Sequence, residues 1–498
     1  MTSGPSAPPA FVAIDLGAES GRVMLGELHE DTLRLTEIHR FPNGPVHLAE
    51  GLRWDVPRLW LEICAGLGHA AEAAEGRIQS VAVDSWGVDF ALLGRDGSLL
   101  GLPAHYRDDR TLEMVEEALW FVPANRLFAT TGIQPMRINT LFQLLSLARS
   151  NSPQLALADR LVMIPDLFGL WLSGRQATEF SIATTSQCLD IRGRRWADSM
   201  LEALAIPARI FGDIVPAGTV LGPLVDPVAA TPGLASALVV ATAAHDTASA
   251  VAAVPHAGPD VAWISSGTWS IMGFGSNEPV LSELAMRNGI GNEGAADGGY
   301  LVGKTMPGLW LVQECRREWA KDGAAISYGT IARMASEAAP LVSFVDPADE
   351  SLAEPGEMSP RIRALCRKTG QPEPLSRGAV LRCVFESLAL QYRRALDQLE
   401  ASSGRHFTVV HIVGGGSRND LLCQMTADAL NRPCFAGPVE ATAIGNILVQ
   451  AAALGLVRSL DDGREIVRRS FDIRTFEPRS PAAWDEPYRR YLELTDGH

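Results

Sequence analysis

A strand, a glycine-bounded turn and a returning strand occur twice in this chain, and that recurrence constrains the fold more than any other feature. The first copy is Phe11–Asp15 (FVAID), the turn Leu16–Gly21 (LGAESG) and Arg22–Leu28 (RVMLGEL), with a third strand expected at Leu33–His39. The second is Val261–Ser265 (VAWIS), the turn Ser266-Gly267-Thr268 and Trp269–Phe274 (WSIMGF). The layouts agree although the residues do not match one for one. A chain of 498 residues exceeds what one core ordinarily organises. Two similar hairpins, one opening each half, therefore predict an internally duplicated α/β fold of two domains.

The turn chemistry indicates what such a pair can hold. A hairpin tip exposes several backbone N–H groups, which grip a phosphate as a nest does. Asp15 ends the first strand, where a metal-bound phosphate would meet it, and Arg22 supplies a planar fork of donors. Gly17 and Gly21 are expected to admit close backbone approach. One such hairpin is an ordinary structural element; two of them imply a nucleotide between the halves. The net charge of −15 argues against general affinity for nucleic acid or anionic membranes, so a nucleotide must be held locally.

Two further strands run into carboxylates. Leu238–Ala244 is uncharged and reads as a buried strand, followed by His245, Asp246 and the small residues Thr247–Ala250. A carboxylate at that end of a central strand lies where open α/β sheets bind ligands. Asp246 also suits the cap of the next helix, and this stretch alone leaves both roles open. Ile78–Asp84 (IQSVAVD) is followed by SWGVDF, where Gly87 would let a small ligand reach the main chain. Trp86 reads as core ahead of a ligand platform. Val409–Val413 leads through Gly414-Gly415-Gly416 into a helix at Asp420–Leu430, a place for a flat group such as adenine and its ribose.

Helices are expected at Trp60–Ala74, through much of 107–150, at Leu167–Leu172 with Asp166 as cap, at Trp196–Leu204 and within 436–455. Leu92–Leu100 predicts a hairpin with an Asp-Gly turn. Gly298–Thr305 (GGYLVGKT) fits the phosphate-loop pattern but is set aside, because Tyr300-Leu301-Val302 reads as strand where that mechanism needs a loop. Seven scattered cysteines without a CxxC pair suit a reducing compartment. With no signal-peptide pattern and no apolar run of bilayer length, a cytoplasmic monomer or small homo-oligomer is expected.

Together DLGAESGRVML, SWGVDF, AHDTASA, SSGTWSIMGF, NEG, HIVGGGSRN and AGPVEATAIGN resemble, along nearly the whole chain, the FGGY family of carbohydrate kinases. The resemblance implies a duplicated actin-like ATPase (ribonuclease H-like) fold with two domains around a central cleft. Its expected parts are a disordered tail at 1–10, an N-terminal kinase domain at 11–247, a C-terminal one at 248–480 and a tail at 481–498. It implies phosphorylation of a ketose's primary hydroxyl by ATP with Mg²⁺, L-rhamnulose first. Alternatives are L-fuculose or L-ribulose, or a non-catalytic sugar or nucleotide sensor on the same fold.

Residue by residue, the resemblance makes Asp246 the catalytic base, with His245, Thr247 and Gly87 as sugar contacts. Ala18, Glu19, Ser20, Gly21 and Arg22 match the first phosphate hairpin and Thr268 the second, Gln313 and Gly415 match further ATP contacts, and Asp15 the magnesium-associated carboxylate. Thr305 stands where the family pattern leads one to expect an asparagine sugar contact, which puts that contact in question.

Overall fold

Strands covered on both faces have no polar side to present, so they read as near-continuous apolar runs. That is how the two sheets begin. The computed structural model describes residues 7–256, 258–321, 323 and 326–495. In the first half, β1 (Ala10–Leu16), β2 (Ser20–His29), β3 (Thr32–Pro42), β4 (Ile78–Ser85), β5 (Thr219–Pro223) and β6 (Leu238–Ala241) form one sheet in the order β5-β6-β4-β1-β2-β3. In the second, β7 (Val261–Ser266), β8 (Trp269–Ser276), β9 (Gly291–Gly294), β10 (Tyr300–Pro307), β11 (Val409–Val413), β12 (Cys434–Ala436) and β13 (Arg474–Phe476) are ordered β9-β10-β8-β7-β11-β12-β13.

The duplication extends well beyond the hairpins. β1 pairs antiparallel with β2 and parallel with β4; β7 pairs antiparallel with β8 and parallel with β11. Each sheet then ends on an antiparallel edge strand, β5 against β6 and β13 against β12. Only β9 has no counterpart in the first sheet.

Helices α1 (Val56–Ala73), α2 (Phe180–Thr185), α3 (Asp246–Ala252), α4 (Trp310–Lys321), α5 (Arg377–Ser403), α6 (Asp420–Leu430), α7 (Ala441–Ala453), α8 (Leu460–Ser470) and α9 (Asp485–Thr495) complete the parts used below. β1 sends Val12 and Ile14 to the α1 side, with Leu59, Ile63 and Leu67. Its other face sends Phe11 and Ala13 into a layer built from α3, α7 and α8. That layer is shared: α7, far along the chain, lies on the first sheet, and Gln450 Nε2 donates to Val12 O at 3.0 Å. The small-residue character of α7 has a direct cause. A Cβ on Gly445 would stand 1.8 Å from Ser249 O on α3.

Several local expectations are corrected. α1 begins at Val56, four residues early, because Asp55 caps it and Pro57 suits its first turn. Asp166 caps nothing: it lies inside the helix Ile164–Ser173, and its Oδ1 accepts from Glu179 N at 3.3 Å. The hairpin at 92–100 is present but short: Gly94 N donates to Ser98 O and Leu100 N to Leu92 O, both at 2.9 Å, around the Leu93–Leu99 bridge, while the other edge of Phe90–Leu93 pairs with Arg160–Met163. Trp196 sits in a two-residue strand and its helix starts at Asp198. The Pro/Gly-rich stretch before β6 contains β5, an edge strand that tolerates its glycine and terminal proline.

Both expected tails are partly ordered. Residues 1–6 lie outside the described residues, but Arg77 Nη1 donates to Pro8 O at 2.8 Å, and Ala10 already belongs to β1. The polar run after 480 forms a turn, Pro481–Trp484, that buries Trp484 and then α9, which buries Tyr488 and Tyr491 and fixes Tyr488 Oη on Asp397 Oδ2 of α5 at 2.6 Å.

Candidate active site

β6, β4 and β1 are parallel neighbours and end in a row, so the chain places three acidic groups side by side. Asp15 is opposite Asp84 in the ladder, Ser85 bridges to His245, and Ser85 N donates to Ala244 O at 2.9 Å. This row lies beyond the carboxyl ends of parallel strands, where open sheets bind ligands. β6 stops at Ala241, earlier than its uncharged run suggested, and Thr242–His245 carries the chain into α3. His245 occupies the cap position with no capping side-chain bond, and Asp246 is the first helical residue. The cap reading of Asp246 is thereby corrected. Its carboxylate accepts from Thr247 Oγ1 at 3.2 Å, and a third of its side chain is open.

Burial and crowding set the charges. Asp84 is fully buried; burial and then the neighbouring Asp15 push its carboxyl well above the ordinary range, against one bond from Asn446 Nδ2 at 2.5 Å. Its Oδ1 has no partner among the described residues. Burial likewise raises Asp246, with Asp15 adding to it and His245 opposing. At His245 burial works against the proton, but Glu293 and then Asp246 overcome it and lift the imidazole to about 9. His245 Nδ1 stands 3.1 Å from Glu293 Oε2, and Nε2 stands 3.4 Å from Asp246 Oδ1.

The two hairpin tips are joined through the second half. In the first, Gly17 N donates to Ser20 O at 2.9 Å and Asn43 fixes the turn by donating from Nδ2 to Gly17 O at 2.8 Å. Arg22 pairs with Asp15 and also with Glu440 at the start of α7, and Glu440 accepts from Arg418 at 2.9 Å. Glu19 accepts from Arg317 of α4 at 2.8 Å. In the second, Thr268 O accepts from Trp310 N at 3.2 Å and Gly267 O from Leu309 N at 2.8 Å, which docks the start of α4 and so Gln313 onto the tip. Gly416 packs on Ser266, while Gly415 faces open space. Thr268, Gln313 and Gly415 are thus gathered around one tip, while Ala18, Glu19, Ser20 and Gly21 form the other. Gly21 has a different reason than expected: an added Cβ would meet the Phe41 ring at 2.2 Å, so packing excludes a side chain there.

Gly87 is equally confined, since a Cβ would meet Thr185 at 2.9 Å. Trp86 is core, its ring tilted at 36° against Trp54 with centroids 4.1 Å apart, and it donates to the buried Asp89 Oδ2 at 3.0 Å. GGYLVGKT is mostly strand: Tyr300–Thr305 lies in β10, and Lys304 Nζ donates to Gln398 Oε1 of α5 at 2.7 Å. Thr305, its strand neighbour, points to the opposite face and is exposed.

Among the described residues no three His, Cys, Asp or Glu side chains cluster as a metal cage. Asp15 beside Asp84 with its unpartnered oxygen is a hard-oxygen site that fits Mg²⁺, an ion that keeps water and phosphate ligands for most of its shell. Glu293 and Glu440 escaped the sequence reading, and Asp84, read there as the carboxylate ending its strand, was given no role at the site. Asp84 did carry a signal, because it ends its strand as Asp15 does; Glu293 and Glu440 are lone acids that only folding brings to the site.

Known proteins are similar to this chain along nearly its whole length. Residues 10–253 match the N-terminal domain of the FGGY family of carbohydrate kinases and residues 262–454 its C-terminal domain. A rhamnulokinase of Bacteroides thetaiotaomicron is 41% identical over 478 residues, covering 96% of this chain and 98% of that protein. One from Pectobacterium carotovorum is 40% identical over 490 residues, covering 97% and 96%. A ligand-bound xylulose kinase from Lactobacillus acidophilus shares the fold at TM-score 0.82 and 15% identity, covering 98% of each chain. Plasmodium falciparum glycerol kinase with ADP does so at TM-score 0.78 and 15% identity, covering 98% and 97%.

Proposed function

The chain belongs to the FGGY family of carbohydrate kinases, and from that we propose that it transfers a phosphoryl group from ATP to the primary hydroxyl of L-rhamnulose, giving L-rhamnulose 1-phosphate in rhamnose breakdown. The observation that carries the chemistry is Asp246: a partly open carboxylate, free of any capping duty, at the end of the central strands and beside a cationic imidazole.

Phosphoryl transfer needs in-line positioning and charge neutralisation more than covalent help. Asp246 accepts the proton of the attacking hydroxyl, and burial, by raising its pKa, makes it a better proton acceptor. His245, Thr247, the main chain at Gly87 and Thr305 contact the sugar. The backbone of Ala18–Arg22 and of Thr268 holds the phosphates, with Gln313 and Gly415 on the rest of the nucleotide. When bound, Mg²⁺ neutralises phosphate charge, and Asp15 with Asp84 beside it would hold it. The Arg22–Glu440 and Glu19–Arg317 pairs tie the first tip to the second half of the chain.

The test is ADP release with L-rhamnulose, L-fuculose and L-ribulose. Thr305 is the reason for including the last two. L-rhamnulose is expected to give the highest kcat/KM; a higher value for another ketose reassigns the substrate, and no turnover with any of them refutes the kinase reading.

A further inference from the structure

Glu293 takes no part in the roles given above, yet it is placed with unusual care. It lies on β9, the strand with no counterpart in the first sheet, and both its neighbours are pinned to the N-terminal half. Asn292 N donates to Gly132 O at 2.9 Å, and Asn292 Nδ2 donates to the same oxygen at 3.1 Å. Gly294 N donates to Thr184 Oγ1 of α2 at 2.9 Å, and a Cβ at Gly294 would meet Phe180 at 2.7 Å. The backbone on either side of Glu293 is therefore fixed, and the carboxylate stands at ion-pair distance, 3.1 Å, from His245 Nδ1, a buried nitrogen with no aligned hydrogen bond among the described residues.

We propose that Glu293 is the positioning residue for His245: it holds Nδ1 so that the ring keeps both protons and offers Nε2–H to a sugar hydroxyl beside Asp246. The inference rests on the sugar-kinase reading for the identity of the acceptor, but not for the pairing itself. An imidazolium donates a charge-assisted hydrogen bond, stronger than a neutral one, and it cannot compete with Asp246 for the substrate proton. Three carboxylates face the ring, each from a different place: Glu293 from β9, Asp246 from α3 and Glu179 from the cap of α2. Glu179 makes no ion pair or hydrogen bond with the ring: its Oε2 accepts from Ala244 N at 3.0 Å and Ser181 N at 2.9 Å, and its Oε1 has no partner among the described residues. Asp246 is reserved for the hydroxyl proton. That leaves Glu293 as the permanent partner. Because it comes from the second half, the sugar site is complete only when both halves contribute.

The test is Glu293→Gln, which keeps shape and removes charge, with Glu293→Asp as the conservative variant and folding checked by circular dichroism. Histidine ¹⁵N resonances of the full-length protein, assigned with His245→Gln, read the protonation of His245 without any substrate. The midpoint is expected near 9 in the wild type, well below that in Glu293→Gln and partly restored in Glu293→Asp. At pH 8 the KM for the sugar should rise about tenfold in Glu293→Gln, the difference between a charged and a neutral donor, while the KM for ATP stays unchanged. An unshifted midpoint overturns the pairing, and a shifted midpoint with unchanged sugar KM overturns its role toward the sugar. Failure of the kinase reading shows separately, as absent turnover in the wild type.

Discussion

Replacing Gly445 with alanine puts a methyl group where the structure leaves no room. The added Cβ would lie 1.8 Å from Ser249 O and 3.2 Å from the Ala252 Cβ, and separations under 3.0 Å are essentially never adopted by real Cβ atoms. The obstacle at Ser249 is backbone, so no rotamer relieves it, and α7 and α3 must part by about 1 Å or more. α3 begins at Asp246, less than one turn before Ser249, so the displacement reaches the base directly. Overpacking of this kind costs about 1–3 kcal/mol, and a misplacement of about 1 Å at a reacting group costs on the order of 10²-fold in rate. Steady-state kinetics and thermal melts of Gly445→Ala should therefore show kcat down by about that factor in a protein that still folds. Gly68→Ala is the control, since its Cβ meets nothing within 4 Å and alanine suits its helix better. If Gly445→Ala melts like the wild type and keeps kcat within about twofold, the helix contact does not position Asp246 and the reasoning is wrong.

Asp246→Asn should keep the fold and sugar binding yet lose roughly 10²–10⁴-fold in turnover; retention of more than about half the rate removes the residue from the mechanism. The imidazole of His245 binds its proton more tightly when folded, with a value of about 9 against 6.5, so its contribution to stability is complete below 6.5 and is lost as pH rises to about 9. Melting temperatures should fall across that window, and fall less in His245→Gln; equal slopes would show that the imidazole is not responsible. Lys304→Ala should leave ATP affinity nearly intact, because that lysine bonds Gln398 on α5; a collapse in a nucleotide titration would restore the phosphate-loop reading. Gly21→Val should lower the melting temperature by displacing the Phe41 ring, whereas Gly267→Ala, whose Cβ finds only an ordinary 3.5 Å contact, should leave stability unchanged and report on the tip alone by calorimetric ATP binding.

Much of the frame was legible because its cues are local. FVAID, VAWIS and VVHIV announce buried strands by composition, and LGAESG and SSGT announce turns. What stayed hidden was of two kinds. β5 is hard to read because Pro223 and Gly222 mask an edge strand, whose pairing needs only one side of its backbone. α9 falls in the stretch expected as a tail, although Trp484 just before it and Tyr488 and Tyr491 within it recur at helical spacing and are readable by that test. Glu293 and Glu440 could not have been found this way, because the partner that gives each its meaning, His245 or Arg22, is remote in the chain.

The loan of α7 to the first sheet has a consequence for how the protein is made. Phe11, Ala13 and Met24 are covered in part by Ile444 and Ile447, residues synthesised long after β1 to β6 are complete. At ribosomal speeds of about 5–20 residues per second, that sheet waits on the order of ten seconds or more with an apolar face uncovered. The nascent N-terminal half is thus a natural client for a holdase chaperone, and expressing residues up to the end of α3 alone should yield aggregated protein. Supplying the remainder of the chain in trans would not readily rescue it, because α7 must arrive before the exposed face finds another partner.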